Sequence, residues 1–408
     1  MLEEAKQILA KYAERFPPTV IGPEKINYII DHIDEISPEE KLTLLKYMNY
    51  MLTLMIERNA SDIEIGGHGN DEYVWFRIFG KKERVKDLPR LTVNESSVLI
   101  ISLLNLNQCK HLWVSRNLDF SYTFRYEKVN KDVRFRADAY FDLDSLALNM
   151  RSISVSTRPL DSLEFHPNAI KTMSHNYIKF GLSLITGITG SGKSTTLDSI
   201  IDHHNQYDPA HIVIIASPIE YVHESKTAMI RHREVGRDVL SFKDGVIQAL
   251  RQDPDIIVIG EMRDPDTIMA ALEVTDTGHK VFSTLHTSSA VESIDRIIAE
   301  VNPVEQDRVR NRLADVLISI VSQKLVPSLD GRRVLAKEVL LVTPSVKAAI
   351  KNNNTSEIYM MINQGGNQGM VTMEQDLIRL YKQRKISREN VIAYANNKTR
   401  ILQLLKGV

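Results

Sequence analysis

Residues 187–195 read GITGSGKST. From Gly187 to Ser194 they satisfy the pattern G-x-x-x-x-G-K-[ST], directly after the apolar run LSLIT (182–186) and before the helix-forming stretch TLDSIIDHHN (196–205), which is the context that gives the pattern meaning. The glycines let backbone N–H groups turn toward phosphates, and the positive end of the following helix dipole adds to their pull. Gly187, Thr189, Gly190, Ser191, Gly192, Lys193, Ser194 and Thr195 are therefore the expected ATP-binding residues. Lys193 would neutralise the β and γ phosphates, and the Ser194 hydroxyl would meet Mg²⁺. Kinases, transporters, DNA motors and secretion motors all use such a loop, so it decides the fold around it and not the task.

About 65 residues onward comes DPDIIVIGEMRD (253–264). Its strand-like IIVIG delivers Glu261 to the carboxyl end of a sheet, where ligands bind in doubly wound folds, which makes Glu261 the expected second ligand of the metal. Between 165 and 345 short apolar runs such as HIVIIAS (211–217) and HKVFSTLH (279–286) alternate with helical stretches such as FKDGVIQALRQ (242–252) and TIMAALEVTDTG (267–278). That alternation predicts an α/β domain with a mostly parallel sheet covered by helices on both faces.

Residues 1–56 read as a helical extension. SPEEKLTLLKYMNYMLTLMIERN (37–59) carries Ser37 as N-cap, Pro38 at the first helical position and Glu40 three residues after the cap. From 57 to 158 the pattern becomes short alternating runs, SDIEIGG (61–67), EYVWFRIFG (72–80), LDFSYTFRYE (118–127), VRFRADAYF (133–141) and LNMRSISV (148–155), around a helical interval NESSVLIISLLN (94–105). This predicts a small α+β domain. STRPLDSLEFHPNAIKTM (156–173) reads as the connection to the core at 165–345, and 346–408 as a polar helical region.

With 408 residues, 43% apolar and 25% charged, the chain has the composition of a soluble globular protein of two or three domains, because single cores stop growing at about 250–300 residues. A net charge of −1 gives no global attraction to nucleic acid, so none is expected as a partner. The single cysteine, Cys109, excludes an internal disulfide and any multi-cysteine zinc site. No apolar run approaches the ~18 residues of a membrane span, and the acidic, amphipathic start is unlike a secretory signal. A cytoplasmic location is expected.

Taken together, TGSGKSTTL (189–197), PIEYVHES (218–225), REVGRD (233–238), ALRQDPDIIVIGEMRD (249–264), TGHKVFSTLHTSSAVESIDR (277–296) and TPSVKAAI (343–350) resemble the secretion-ATPase superfamily, and within it the PilT-like pilus retraction motors. ASDIEIG (60–66) and LDFSY (118–122) are similar to the PAS-like first domain of that family. The resemblance implies a RecA-like ATPase core preceded by a small PAS-like α+β domain. It further implies a homohexameric ring hydrolysing MgATP to move a pilus or secretion platform at the cytoplasmic face of the inner membrane, held there only through partners. Glu220 matches the glutamate that polarises the attacking water, and Glu261 the second acidic box. His279 and His286 match histidines that sense the γ phosphate. Arg136 and Arg151 match arginines that the first domain offers to nucleotide, with Arg134, Arg231, Arg233 and Arg237 as further candidates.

Two departures from the family pattern bear on activity. ASPIE (216–220) has Ala216 and Ser217 where the family carries an acidic pair, which predicts slower hydrolysis. TPSVKAAI keeps the position of the retraction motif and replaces its usual residues. The family's extension motors carry a four-cysteine zinc site, which one cysteine cannot build. SPIE (217–220) and QKLVPSLDGRR (323–333) are similar to the DotB-like ATPases of type IV secretion, the first alternative; a nucleotide switch that binds ATP without hydrolysing it is the second.

Overall fold

The computed structural model describes residues 1–17, 19–20, 22–78, 80–153 and 157–407. Ser154 and Val155 of the run 148–155, Ser156 of the expected connection and Phe79 of the run 72–80 lie outside the described residues. The chain divides into two compact units, Met1–Val155 with Ser217–Tyr221, and Ser156–Ala216 with Val222–Val408.

The first unit contains α1 (Leu2–Ala13), α2 (Glu24–Asp31), α3 (Pro38–Glu57), β1 (Ala60–Gly66), β2 (Trp75–Ile78), β3 (Lys81–Arg84), α4 (Val93–Ser102), α5 (Leu106–Ser115), β4 (Asn117–Tyr126), β5 (Lys131–Asp142) and β6 (Ser145–Ser152). Helix α3 starts as its sequence dictates. The Ser37 hydroxyl accepts from the Glu40 N–H at 3.2 Å, and the Glu40 carboxylate accepts from the Ser37 N–H at 3.0 Å. Its apolar face buries Leu44, Met48, Met51, Leu52 and Met55 in one core with Ile63, Ile65, Phe76, Phe135 and Leu148 of the sheet, each such side chain contributing about 1.5–3 kcal/mol. Helix α5, which the strand-dominated reading of this region passes over, opens on a capping box from Asn105 and Gln108.

The strands form an antiparallel sheet in the order β3-β2-β1-β6-β5-β4. Alternation along β5 buries Val133, Phe135, Ala137 and Ala139 and turns Arg134, Arg136 and Asp138 to the other face. Register then places Ser121, Arg136, Arg151, Asp62, Arg77 and Lys82 opposite one another, in a row across all six strands on that polar face.

The second unit contains α6 (Pro167–Met173), β7 (Gly181–Thr186), α7 (Lys193–Tyr207), β8 (His211–Ala216), β9 (Met229–Glu234), α8 (Phe242–Ala249), β10 (Ile256–Ile259), α9 (Pro265–Asp276), β11 (Lys280–Leu285), α10 (Ala290–Ala299), α11 (Gln306–Val316), β12 (Leu317–Pro327) and β13 (Arg333–Leu341), then α12 (Pro344–Lys351), α13 (Ile358–Gln364), α14 (Met373–Lys382), α15 (Arg388–Tyr394) and α16 (Lys398–Leu405). Its sheet runs β13-β12-β7-β11-β10-β8-β9 and is parallel except for the β12–β13 pair. Every residue of β7, β10 and β11 is buried, so both faces of the sheet centre are covered, as the α/β reading requires.

The β12–β13 hairpin extends this sheet beyond the strands expected from alternation. The C-terminal helices are less polar than their sequence suggests. Met373, Leu377, Leu380, Val391 and Ile401 bury themselves against Val326 and Ala336 of the hairpin. Among the described residues no helix is long and apolar enough to cross a membrane.

Candidate functional site

The loop 187–192 leaves β7 and enters α7 through backbone conformations that only glycine adopts freely. Gly187 has φ 150°, and a Cβ there would lie 2.4 Å from Ser191 Oγ and 2.6 Å from the Gln323 carbonyl oxygen. Gly192, at φ 90°, is the N-cap of α7, and no side chain caps that helix. The N–H groups of its first turn are therefore left for an anion. Lys193 is buried and folds back over the loop, its Nζ donating to the carbonyls of Gly187 at 2.7 Å and Ile188 at 3.2 Å. Thr189, Gly190, Ser194 and Thr195 are exposed.

Beside the loop stand the carboxyl ends of β10 and β11. Glu261 follows β10, with Oε2 2.7 Å from Arg263 Nε and 3.7 Å from His286 Nε2. His286 follows β11, and its Nδ1 is 3.5 Å from Lys193 Nζ. A lysine ammonium only donates. The ring is accordingly assigned with its lone pair on Nδ1 and its proton on Nε2, toward Glu261. Burial, and then the Lys193 charge, lower the His286 pKa, while Glu261 opposes them. Gly260 lets the ends of β8 and β10 meet. A Cβ there would lie 3.0 Å from the Ala216 Cβ, and the Gly260 N–H donates to Ile215 O at 2.7 Å.

Two buried polar atoms on this loop and its flank lack a partner: Ser191 Oγ, and Oε1 of Gln323, whose Nε2 donates to Ser191 O at 3.0 Å. With the glycine cradle, the Ser191 hydroxyl, which can donate, fits a site shaped for a polyanion. Among the described residues no cluster of three His, Cys, Asp or Glu forms a metal cage. Mg²⁺ binds one or two protein oxygens together with phosphates and water. Ser194 and Glu261 offer such oxygens, with Arg263 on Glu261 as the competing partner.

Glu220 comes together with Arg134 and Arg136 in the first unit, and Arg151 does not join them. Arg136 lies 3.4 Å from Asp119 and 3.9 Å from Glu220 Oε1, and Arg134 donates to Ile219 O at 3.0 Å. Arg151 Nε donates to buried Asp62 at 2.7 Å, yet its side chain stays 67% exposed. His279 does not join His286. It precedes β11, contacting Thr277 Oγ1 at 3.0 Å and Val274 O at 3.3 Å, a strand length of about 20 Å from its counterpart. Arg231 and Arg237 are exposed, and Arg233 donates to Gln248 at 2.8 Å.

The structure adds polar groups to which the sequence motifs assign no role. Lys280 is fully buried in β11, its Nζ donating to Thr172 O at 2.9 Å and Ile178 O at 3.1 Å, and burial lowers its pKa to about 7. Glu338 in β13 accepts from the Ala290 N–H at 2.9 Å, at the start of α10, and burial raises its pKa to about 7. On β12, Gln323 flanks the loop, while Lys324 donates to Tyr394 O at 2.7 Å and Asn396 Oδ1 at 2.6 Å. Asn396 Nδ2 in turn donates to Ser288 O at 3.2 Å. A charged letter inside an otherwise apolar run, as in HKVFSTLH and AKEVLLV (336–342), is the signal that sequence offers for Lys280 and Glu338.

Comparison with known proteins bears out the expected resemblance. The type IV pilus retraction ATPase PilT of Pseudomonas aeruginosa is 37% identical over 340 residues, 83% of this chain and 95% of the relative. A crystal structure of the pilus retraction motor PilT with bound ADP matches with a TM-score of 0.75 at 35% identity, covering 86% of this chain and 98% of the other. The ATPase DotB of Legionella pneumophila also matches at 0.75, with 29% identity and 88% and 95% coverage. The fold is thus a RecA-like core preceded by a small PAS-like α+β domain. The family described as Type II/IV secretion system protein matches residues 38–400, nearly the whole chain, and this chain belongs to that family.

Proposed function

We propose that this chain is a motor that hydrolyses MgATP to power pilus retraction. The observation that carries the proposal is the group Lys193–His286–Glu261 gathered around a glycine-built phosphate loop, in a chain 37% identical to a pilus retraction ATPase. The N–H groups of 190–195 and the Lys193 ammonium would hold the β and γ phosphates. Mg²⁺, held by Ser194 and Glu261, would supply further neutralisation of phosphate charge. Glu220 would orient the attacking water, and Arg136 and Arg151 would add positive charge when the first domain approaches nucleotide. His286, in contact with Lys193, is the better placed of the two histidines to respond to the γ phosphate; His279 would act only through β11. The arginines and the loop lie in different units, so domain movement would bring both to nucleotide; the motor is read as a cytoplasmic homohexameric ring working on an inner-membrane platform.

Phosphate release and nucleotide affinity, measured separately, test the enzyme reading. Lys193→Ala should abolish turnover, and Glu220→Gln should block turnover while nucleotide still binds. Full turnover in Glu220→Gln removes that residue from the mechanism. The equal TM-score to DotB favours a second reading, a secretion ATPase. A deletion strain separates the two: a retraction motor leaves cells bearing pili they cannot withdraw, whereas a secretion ATPase leaves pilus number unchanged and stops export.

A further inference from the structure

β12 runs parallel to β7 as far as the pair Ser322 and Thr186, whose hydroxyls lie 2.8 Å apart. There β7 gives way to the phosphate loop, while β12 continues. The next side chain on β12 is Gln323, 1% exposed, with Nε2 donating to Ser191 O at 3.0 Å. Around it the loop fits tightly. The Gln323 carbonyl occupies the space a Gly187 side chain would need, and a Cβ on Gly192 would lie 3.3 Å from Gln323 Nε2.

A peptide group is planar and trans, so its C=O and N–H point in opposite directions. Holding Ser191 C=O against β12 therefore turns the Gly192 N–H the other way, at the N-cap of α7. We infer that Gln323 is a positioning residue for nucleotide: its amide fixes the 191–192 peptide so that the Gly192 N–H faces the phosphates. The inference rests on the reading of 187–195 as the nucleotide loop. It accounts for an amide buried on a strand with, among the described residues, only its N–H end used.

Gln323→Met keeps the length and removes the amide, and Gln323→Glu keeps the shape and removes the donor. In the full-length protein, Gln323→Met should weaken ADP binding and raise KM for ATP about tenfold, the worth of one hydrogen bond to a backbone carbonyl. Its kcat at saturation should stay near that of the parent, while its unfolding temperature without nucleotide falls with the hydrogen bond that the free protein also makes. Gln323→Glu should bind ADP poorly at pH 8 and recover as pH falls, because a protonated carboxyl can again donate to Ser191 O. Unchanged ADP affinity in both variants overturns the inference. So does an affinity loss that only follows a lowered unfolding temperature, with no recovery of Gln323→Glu at lower pH, since that is packing alone. Lys193→Ala is the control on the underlying reading. If it too binds ADP like the parent, the nucleotide loop itself is misassigned; if it binds poorly while the Gln323 variants bind normally, only the positioning role fails.

Discussion

His286 turns its Nδ1 to the Lys193 ammonium at 3.5 Å, so burial first, and then the same charge that would hold phosphate, favours the neutral imidazole at the phosphate loop. The contact is favourable only while Nδ1 carries a lone pair. Protonation would set two cations against each other.

That relation gives the pH dependence a sign. The His286 pKa lies below its ordinary 6.5, so in acid the unfolded chain takes up this proton before the folded one does. Stability from the neutral ring is complete above pH 6.5 and is lost as pH falls through the lower folded value. The unfolding temperature should fall over the same acid range, and His286→Gln should flatten that limb. Unfolding temperatures of both proteins from pH 7.5 to 5 check it. An unchanged limb in the variant would place the titrating group elsewhere.

Arg136 and Arg151 stand opposite each other on β5 and β6, far in sequence from the loop. Arg136→Ala and Arg151→Ala should each lower kcat by about 100-fold, the scale of removing one group that stabilises transition-state charge, with a much smaller effect on ADP affinity. Native mass measurement should show a hexamer for the parent and both variants. A monomer turning over at the full hexamer rate would refute the ring.

Lys280 makes a different pH prediction. Its folded pKa of about 7 lies below the ordinary 10.5, so between these values the unfolded chain binds the extra proton. Parent stability should rise with pH across that window, by a few kcal/mol. Lys280→Met removes the titration and gains on the parent as pH falls from about 10 to 7. Unfolding temperatures of the two proteins across that range test it, and parallel curves would contradict a neutral buried amine.

The loop glycines are not equivalent. Gly187→Ala drives a Cβ into Ser191 Oγ and the Gln323 carbonyl and should cost about 1–3 kcal/mol of stability along with nucleotide binding. At Gly190, φ 78°, no atom lies within 4 Å of a built Cβ, so Gly190→Ala should cost only the backbone term of about 1 kcal/mol. Equal losses in the two variants would show that conformation, not crowding, governs the loop.

What the sequence shows of this molecule follows from how local each cause is. The α3 capping box, the turn after β7 and the position of Glu261 after IIVIG all depend on neighbours within a few residues, and all were legible. The β12–β13 hairpin had a turn signal too, Asp330–Gly331 between two β-rich runs, but its strands read equally well as part of the helical alternation. Gln323, the first residue of QKLVPSLDGRR, carried no role in the sequence because its meaning comes from β7, 136 residues earlier in the chain by the Thr186–Ser322 pair. His279 and His286 were matched to the family by position alone: a spacing of seven brings side chains together on two turns of helix, whereas along β11 it holds them a full strand length apart.

β12 also has a second face. Neighbouring residues of a strand point to opposite sides, and while Gln323 grips the phosphate loop, Lys324 grips Tyr394 and Asn396, with Asn396 tied on to Ser288 just past His286. Adjacent residues on one strand cannot be displaced separately. The turn between the last two helices is thereby tied, through adjacent residues of one strand, to the nucleotide loop on one side and to the segment after His286 on the other.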